Sequence, residues 1–482
     1  MTESSSRNLL QEFHHIFYPE SIAVVGASQD KRKAGYYWVK AVVDAGYTGN
    51  IYPVNPNGGE VLGLKIYPSL RAIPGTVDYA IVCIPREAAP SLLDDCPTKK
   101  VKAVAFFTAG FKEIGDDIGC KLEEEMVSKA QQGGFRIIGP NCLGVYCPEW
   151  KIPCGPGGTI GESGTVGFIS QSGGISGQLV ELGIARGIKY SKGISFGNGI
   201  DLDSIDSLKY MAADPKTSVI GAYLEGVRNG SLLLNTIAEV TKVKPVIAWK
   251  AGRTEAGAAA AKSHTGSLTS SAAVWSAALK QGGAIEVRSL EELADTLLIF
   301  QQLQQWRGKG IAVVCGLADG GGGIAVSASD TCTELGLPMP PLSPSTRQRL
   351  TSLLGQAGSI LHNPVDVSQA AGSLTTLRQA IELVLADSAI DLVLVQEDMG
   401  MLLDYFPWEQ IEAINDVLID LRAKQDKPLV SVLPPGPSDA ARIQIERRLS
   451  QASIPVFTSM ERAARAIVNL SRYSHFKAAL RS

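Results

Sequence analysis

The sequence predicts an α/β protein made of three consecutive parallel sheets, each with helices on both faces. Short β-branched runs end at Gly, Pro or Asn and lead into segments of helical pattern, which is the rhythm of βαβ units. The rhythm stops and restarts twice, and 482 residues correspond to about three domains of roughly 150 residues each. We therefore expect domains at 1–145, 146–303 and 304–482.

The strand-forming runs can be assigned in chain order. In the first domain they are "SIAVVGAS", "GNIYPVNP", "DYAIVCIP", "VKAVAFFTAGF" and "FRIIGPNCLG". The stretch "CPEWKIPCGPGGTIGESG" is rich in Pro and Gly and indicates a linker. The second domain continues with "TVGFISQSGG", "SVIGAYLEG", "PVIAWKAG" and "AIEVRS", and the third with "IAVVCGLADGGGG", "DLVLVQED", "PLVSVL" and "IPVFTS".

Composition narrows the ligand class to small molecules. With 45 basic and 48 acidic residues and a pI near 6.1, nothing favours nucleic acid or an anionic membrane. No stretch approaches the ~18 apolar residues of a membrane span, and the amino terminus has no signal-peptide pattern, so a cytoplasmic protein is expected. The eight cysteines follow no C-x-x-C or other regular spacing, and neither a metal site nor a disulfide framework is predicted.

The turn "VVGASQDKRKAG" follows the first strand and opens a helix, a place where backbone N–H groups can receive a phosphate. It departs from the dinucleotide fingerprint after Gly26 and Ser28, and the second strand ends in "VNPN" rather than in an acid, which disfavours a nicotinamide-dependent oxidoreductase. Lys31, Arg32 and Lys33 add positive charge that suits a ligand with several phosphates. The alternative is that Gly26 only permits a tight turn.

Two further glycine-rich turns lie between a strand and a helix. One surrounds Ser172, Gly173 and Gly174 in "GFISQSGGISG", and the other spans 320–323 in "CGLADGGGGIAVSASD". Each is compatible with an anion-binding nest at a helix N-terminus, and each is also compatible with a plain tight turn. Their presence in separate domains, with a histidine loop between them in sequence, favours a site that handles phosphoryl groups.

That histidine is His264, in the stretch "KSHTGSLTSS". It follows the strand "PVIAWKAG", where doubly wound sheets place their ligand sites, and its small neighbours would let a bulky group approach. A histidine nucleophile needs one unprotonated ring nitrogen and a carboxylate on the other nitrogen. Glu225, at the end of the strand "IGAYLEG", is the best candidate, although a solvated acid at a strand end is the alternative interpretation.

Several motifs together resemble the α subunit of ADP-forming acetyl-CoA (acyl-CoA) synthetases, which are relatives of succinyl-CoA synthetase. They are "IYPVNPN", "TAGFKE", "IIGPNCLG", "ISQSGG", "FGNGIDLDSID", "AYLEGVRNG" and "SHTGSLTSS". The resemblance runs from about residue 18 to beyond 460. It implies a Rossmann-like CoA-binding domain followed by two flavodoxin-like domains, the first of which carries a phosphohistidine.

The resemblance also implies roles for individual residues. His264 would become phosphorylated, and Glu225 would stabilise it. Coenzyme A would bind at Gly26, Ser28, Lys33, Val54, Asn55, Pro56, Ile84, Pro85 and Asn141. Phosphate would bind at Ser172, Gly173, Gly174, Asn198, Gly321 and Gly322.

The reaction implied is acyl-CoA + phosphate + ADP ⇌ carboxylic acid + CoA + ATP, through an acyl phosphate and phosphorylated His264. The ATP-grasp region of fused family members has no counterpart in the motifs, so we expect a separate ATP-grasp β subunit to supply ADP or ATP with Mg²⁺, in a hetero-oligomer. The alternative is a non-catalytic, regulatory protein that binds CoA or acyl-CoA. That alternative would be favoured had His264 or Glu225 been replaced, and both residues are present.

Overall fold

A computed structural model describes residues 3–265, 271–303, 306, 308–318, 321–355, 360–370 and 372–480. The chain forms two compact units, Met1–Leu293 and Ala294–Ser482. The first unit contains two large sheets and the second contains one. All three are parallel apart from one edge strand of the second sheet, which confirms the predicted fold class.

The first sheet has strand order β2-β1-β5-β6-β7, and a two-stranded hairpin, β3-β4, lies outside it. Its elements are α1 (Glu3–Phe17), β1 (Ser21–Val25), α2 (Ala34–Asp44), β2 (Asn50–Val54), β3 (Glu60–Val61), β4 (Leu64–Lys65), β5 (Tyr79–Val82), α3 (Ala89–Leu93), β6 (Ala103–Phe106), α4 (Asp117–Gly133) and β7 (Arg136–Ile138). Short 3₁₀ turns occupy Leu70–Ala72, Arg86–Ala88, Pro97–Lys99 and Lys112–Ile114.

The second sheet has the order β13-β12-β11-β9-β10-β8, with β8 antiparallel to β10. Its elements are β8 (Gly144–Tyr146), β9 (Ser163–Ser170), α5 (Gly173–Ala185), β10 (Tyr190–Ser195), α6 (Ser204–Ala213), β11 (Val219–Leu224), α7 (Gly230–Thr241), β12 (Val246–Lys250), α8 (Glu255–Thr265), α9 (Ala272–Gln281) and β13 (Ile285–Val287). A 3₁₀ turn covers Pro148–Trp150, and α10 (Leu290–Gln302) follows β13.

The sheet of the second unit has the order β15-β14-β16-β17-β18. Its elements are β14 (Ile311–Cys315), α11 (Gly321–Glu334), α12 (Pro344–Leu354), β15 (Val365–Asp366), α13 (Leu374–Ala386), β16 (Leu392–Gln396), α14 (Met399–Tyr405), α15 (Trp408–Lys424), β17 (Leu429–Val432), α16 (Asp439–Gln451), β18 (Val456–Phe457) and α17 (Met460–Ala479), with a 3₁₀ turn at Ser368–Ala370.

The central strands are buried along their whole length because helices cover both faces of each sheet. β1 ("SIAVV") and β11 ("VIGAYL") therefore carry continuous apolar runs rather than an alternating pattern. Asp203 caps α6 by accepting backbone N–H bonds, and Asp206 completes the capping box. None of the helices in the described ranges is long and apolar enough to cross a bilayer.

The two sheets of the first unit are joined by residues 196–202, "FGNGIDL", which we call the joint segment. Its backbone N–H groups donate to the carbonyls of residues 137, 139 and 140 over 3.0–3.1 Å. Asp201 adds an ion pair with Arg136, at 2.8 Å between Oδ1 and Nη2, and accepts the Ile137 N–H. The segment thus extends from β10 of the second sheet and docks along β7 of the first.

The Pro- and Gly-rich stretch after β8 is not the linker that its composition indicates. Cys147, Ile152 and Cys154 are buried, and two isolated β-bridges, Cys147 with Ile152 and Cys154 with Thr159, organise the stretch. It packs against the body of the first unit as an irregular ordered segment.

Gly197 is the glycine on which the joint segment depends. Its φ is +52°, and a Cβ built on it would lie 2.2 Å from the Pro140 carbonyl oxygen and 2.4 Å from that of Asn141. Those neighbours are backbone atoms, which cannot rotate away as the end of a side chain can.

We expect Gly197→Ala to lower the free energy of unfolding by about 1–3 kcal/mol, because overpacking adds to the cost of a left-handed residue. Chemical denaturation measures the change. Gly177→Ala is the matched control, since Gly177 lies in α5 with no atom within 4 Å of its Cβ position. The control should be neutral or stabilising by about 0.5–1 kcal/mol. Equal effects of the two variants would contradict this account of the joint.

Candidate active site

The first sheet places the predicted CoA residues beyond the carboxyl ends of its strands. In the strand order β2-β1-β5, the chain runs from β1 to β2 on one side of β1 and later reaches β5 on the other side. Because the connections diverge at this point, a crevice opens beyond the carboxyl ends of β1 and β5. Gly26 and Ser28 follow β1, and Ile84 with Pro85 follows β5. Val54, Asn55 and Pro56 end β2 at the same edge.

The turn at Gly26 is a close approach of backbone to backbone. Gly26 has φ +92°, and a Cβ there would lie 2.5 Å from the Cys83 carbonyl oxygen. A Cβ on Gly35, in the first turn of α2, would lie 1.9 Å from the Gly26 carbonyl oxygen. Glycine at these two positions lets α2 start directly against the end of β1, which is the geometry of a phosphate-binding βα turn.

Hydrogen bonds hold the neighbouring loop against this turn. The Val54 carbonyl accepts from the N–H groups of Gly26 (2.9 Å) and Ala27 (3.1 Å), and the Asn55 amide nitrogen donates to the Ala27 carbonyl over 2.8 Å. The Ser28 hydroxyl accepts the Asp30 N–H at 3.0 Å. Lys33, the residue that precedes α2, is exposed and makes no capping bond, so its ammonium faces solvent beside the turn.

The second sheet repeats the arrangement around β9 and β11. Ser172 is the N-cap of α5, and its hydroxyl accepts the Ile175 N–H at 3.3 Å. A Cβ on Gly173 would lie 3.1 Å from the Leu143 side chain, whereas a Cβ on Gly174 would meet only the Ser172 hydroxyl, at 3.9 Å. The helix N-terminus is therefore open above Gly174, where backbone N–H groups and the helix dipole favour an anion.

Residues from the strand ends of both sheets line one cavity of about 520 Å³. It lies between the end of β5 and the start of α5, both in the first unit. The predicted residues Ile84, Asn141, Ser172, Gly173 and Gly174 line it. The remaining lining residues are Ala34, Cys83, Phe107, Thr108, Ala109, Cys142, Leu143 and Gln171.

Glu225 stands one residue beyond β11 and is 3% exposed. Its carboxylate accepts a hydrogen bond from the Tyr223 hydroxyl at 3.2 Å. Burial, reinforced by Glu225, raises the pKa of Tyr223, so this hydroxyl keeps its proton and acts as a donor. The Gln171 side chain accepts the N–H groups of Glu225 (2.8 Å) and Gly226 (3.0 Å), and Gln171 also lines the cavity.

The backbone of His264 belongs to α8, whereas its side chain lies outside the described part of the chain. α8 packs against the 3₁₀ turn Lys112–Ile114 of the first sheet's domain. That turn follows the "TAGF" loop, whose residues Thr108 and Ala109 line the cavity. The histidine helix thus lies beside the loop that forms one cavity wall.

Asn198 has a structural role that the sequence did not reveal. Its amide nitrogen donates to two buried carboxylates, Glu113 at 2.7 Å and Glu123 at 2.8 Å. Burial raises the pKa of Glu123, and the bond from Asn198 is the first effect that opposes the rise. Glu113 also accepts the N–H groups of Gly110 and Phe111, so Asn198 fixes the "TAGFKE" loop rather than the cavity lining.

Gly321 and Gly322 start α11 in the second unit. A Cβ on Gly321 would lie 2.3 Å from an oxygen of the buried Asp366, and no atom lies within 4 Å of a Cβ on Gly322. Gly316 also requires glycine, because a Cβ there would lie 2.4 Å from the same oxygen of Asp366. This turn therefore carries a carboxylate at its helix N-terminus, a feature absent from the turn at Ser172.

Sequence reasoning missed Gln171, Glu113 and Glu123. Gln171 sits in the recognised "ISQSGG" motif, and its position directly after a central strand was the available signal. Glu113 ends the recognised motif "TAGFKE", but its bond from Asn198, like that of Glu123, joins residues distant in sequence, for which no local pattern exists.

Two parts of the chain match known domain families, and nearly the whole chain matches known relatives. Residues 20–148 match the family described as CoA binding domain, and residues 163–300 match the succinyl-CoA ligase like flavodoxin domain. The chain is 35% identical over 463 residues to acetate–CoA ligase [ADP-forming] I of Archaeoglobus fulgidus, covering 96% of this chain and 64% of that protein. It is 35% identical to the α subunit of acetate–CoA ligase [ADP-forming] I of Pyrococcus furiosus, covering 96% of this chain and 98% of that subunit.

A solved structure is similar to this chain over nearly its whole length. It is the dinucleotide-forming acetyl-coenzyme A synthetase 1 of Ca. Korarchaeum cryptofilum in complex with phosphate and ADP, with a TM-score of 0.85 and 31% identity over 97% of this chain and 98% of that one. The chain belongs to the family of ADP-forming acetate–CoA (acyl-CoA) ligases and corresponds to their α subunit. The resemblance predicted from the motifs is confirmed.

We expect Gln171→Ala to lower the free energy of unfolding by about 2–4 kcal/mol, because two buried N–H groups lose their acceptor at roughly 1–3 kcal/mol each. Thermal or chemical unfolding measures the loss. Gln132→Ala, at an exposed glutamine of α4, is the control and should change stability by less than about 0.5 kcal/mol. An unchanged unfolding midpoint for Gln171→Ala would show that the two N–H groups find another partner.

Proposed function

We propose that the protein is the acyl-CoA and phosphohistidine subunit of an ADP-forming acyl-CoA ligase, catalysing acyl-CoA + phosphate + ADP ⇌ carboxylic acid + CoA + ATP. The observation that carries the proposal is the cavity. Two of the nine predicted CoA residues, Ile84 and Asn141, line it together with the open helix N-terminus at Ser172–Gly174. A thioester and a phosphate held there would be adjacent.

In the first step, a phosphate oxygen attacks the thioester carbonyl, the C–S bond breaks, and the thiolate leaves and takes up a proton. The products are acyl phosphate and free CoA. Backbone N–H groups at the start of α5 hold the phosphate charge without rearranging, which is the preorganised stabilisation that such a step needs. The first-sheet turn with Gly26, Ser28, Lys33 and the loop Val54–Pro56 would hold the phosphorylated end of CoA.

In the second step, a ring nitrogen of His264 attacks phosphorus, the P–O bond to the acyl group breaks, and the carboxylic acid leaves as its carboxylate. The other ring nitrogen keeps its proton, and we assign the acceptor of that N–H to the buried Glu225 carboxylate at the end of β11. This arrangement fixes the tautomer and stabilises the charged ring.

In the third step, phosphorylated His264 transfers its phosphoryl group to ADP. We assign the nucleotide and Mg²⁺ to an ATP-grasp partner subunit in a cytoplasmic hetero-oligomer. Within the described ranges, no group of three or more His, Cys, Asp and Glu could hold a metal ion. Between Glu255 and Ala261 of α8, only Ala261 is buried, so moving this part of the helix away would expose little apolar surface.

We divide these roles among three domains: CoA binding at 1–145, the phosphohistidine at 146–303 and a second ligase domain at 304–482. In the third, Gly321 and Gly322 would supply a second phosphate-binding helix end.

Incubation with acetyl-CoA and ³²P-phosphate tests the proposal. We expect label that is acid-labile and base-stable, as a phosphohistidine is, and that requires the acyl-CoA. His264→Asn should abolish the label, and Glu225→Gln should lower it by about 10²-fold or more, because a buried stabilising contact is lost.

His15→Ala, at an exposed histidine of α1, is the control and should retain full labelling. A chain that binds CoA and takes up no label with any acyl-CoA of a broad panel would contradict the proposal. Label that persists in His264→Asn would assign the phosphoryl group to another residue.

We also expect Lys33→Ala to weaken CoA binding by about 5–10-fold at low salt, because one ammonium beside a phosphate contributes roughly 1 kcal/mol at an exposed site. The difference should shrink at high salt. Calorimetric titration measures both. Lys102→Ala is the control, since Lys102 is exposed at the amino end of β6, at the opposite edge of the same sheet. Equal losses for the two variants would point to a non-specific charge effect.

A further inference from the structure

Leu143 lines the cavity and has no role in the proposed steps. It follows the predicted CoA residue Asn141 by two positions and precedes β8, and its side chain is half-buried. A Cβ on Gly155 would lie 3.0 Å from this side chain, and a Cβ on Gly173 would lie 3.1 Å from it. The three atoms nearest to the Cβ position of Gly173 all belong to Leu143. The isobutyl group therefore lies directly against the first residue of α5.

The backbone of Leu143 is fixed on both sides. Its N–H donates to the hydroxyl of the buried Ser195 over 3.1 Å. The preceding residue, Cys142, is buried, and its thiol donates to the Ile138 carbonyl at 3.5 Å. The following residue, Gly144, starts β8, which pairs with β10. Leu143 is thus a rigid part of the cavity wall, because it cannot retreat from the start of α5 without breaking these contacts.

The first chemical step brings the acyl group to this wall. The phosphate at the start of α5 must approach the thioester carbonyl carbon to within about 3–3.5 Å for attack. The carbon chain attached to that carbonyl then lies close to Gly173, where Leu143 stands. The other large apolar side chains of the lining are Ile84, which follows β5, and Phe107, which follows β6 and packs against Trp38 with ring centroids 5.8 Å apart. Neither is among the atoms nearest to Gly173.

The charge of the lining limits the kind of acyl group. No charged side chain of the described residues lines the cavity. A second carboxylate on the acyl chain would lose its water shell there without gaining a cation, and it would also face the negative charge of the phosphate. A chain that ends in a methyl group instead gains apolar contact with Leu143. The site therefore suits the acyl group of a monocarboxylic acid.

We propose that Leu143 is a specificity-determining residue that limits the length of an uncharged acyl group. This inference rests on the proposed function and adds to it the class of acyl group. The position of the reacting phosphate at α5 sets where the carbonyl lies, and Leu143 sets how much of the chain fits beyond it.

The direction of the effect follows from the volume of the side chain. Leu143→Ala removes about three carbons from the wall, which makes room for about as many carbons of acyl chain. One methylene group changes the selectivity of an apolar pocket by roughly 10–200-fold. Leu143→Val removes about one carbon and should shift the selectivity in the same direction by less.

The experiment compares acyl-CoAs in pairs, with the full chain and the initial rate of ³²P labelling at subsaturating acyl-CoA. In Leu143→Ala, the rate with butyryl-CoA relative to acetyl-CoA should rise by about 10-fold or more. The rate with succinyl-CoA, whose acyl chain has as many carbons as butyryl but ends in a carboxylate, should rise by less than about 3-fold relative to acetyl-CoA. Leu10→Ala is the matched control, because Leu10 is a half-buried leucine of α1 that does not line the cavity. It should leave both ratios unchanged.

A labelled wild type with an unchanged butyryl-to-acetyl ratio in both Leu143→Ala and Leu143→Val would overturn the inference and leave the proposed function standing. Equal gains for butyryl-CoA and succinyl-CoA would contradict the requirement for an uncharged chain.

A wild type that no acyl-CoA labels would overturn the proposed function, and calorimetric titration without phosphate then tests Leu143 by itself. The ratio of the dissociation constants of butyryl-CoA and CoA should fall by about 5-fold or more in Leu143→Ala and stay unchanged in Leu10→Ala. An unchanged ratio in Leu143→Ala would sink the inference. The same titration with Leu143→Val, for which a smaller fall is expected, decides the question if Leu143→Ala is too unstable.

Discussion

The active site depends on a backbone-to-backbone contact, the docking of the joint segment on the edge of the first sheet. Gly197 touches the carbonyls of Pro140 and Asn141 with no room for a side chain, and Asn141 itself lines the cavity. The same segment carries Asn198, which holds the "TAGFKE" loop through Glu113 and Glu123. One contact therefore fixes two walls of the cavity relative to the helix that begins at Gly173.

Charge is distributed unevenly around this contact. In the described structure, the cavity lining at the start of α5 contains no charged side chain, so the helix dipole acts on a bound anion without competition. The buried acidic residues do not line the cavity. Glu113 and Glu123 bond to Asn198 at the "TAGFKE" loop, and Glu225 lies at the end of β11. Carboxylates placed in the lining would repel phosphate, whereas these shape the site through hydrogen bonds.

The sequence predicts the sheets and the three glycine turns from simple rules, whereas the pairing of His264 with Glu225 stays a prediction. Continuous β-branched runs require burial on both faces, and ligands of such sheets bind beyond the carboxyl ends of strands. The assignment of CoA to the turn at Gly26 came from the family motifs, since the local residues indicated only a ligand with several phosphates. The residue contacts in the site then follow from how strands are ordered, which local patterns do not encode.

Two features lay beyond that reasoning for physical reasons. Asn198 meets Glu113 and Glu123 across 85 and 75 residues of chain. The stretch after β8 was misread as a linker because Pro and Gly also occur in ordered irregular segments. Its cysteines and Ile152 are residues typical of a packed segment, and the structure buries them.

The central claim is that acyl-CoA and phosphate react in the cavity beside the start of α5 before His264 takes part. The most direct measurement is hydroxylamine trapping of acyl phosphate from acetyl-CoA in the His264→Asn variant, with and without phosphate. The account predicts phosphate-dependent acyl hydroxamate in this variant, because the first step needs only the cavity and the start of α5. Hydroxamate formation that is the same with and without phosphate, in a variant that still binds CoA, would contradict it.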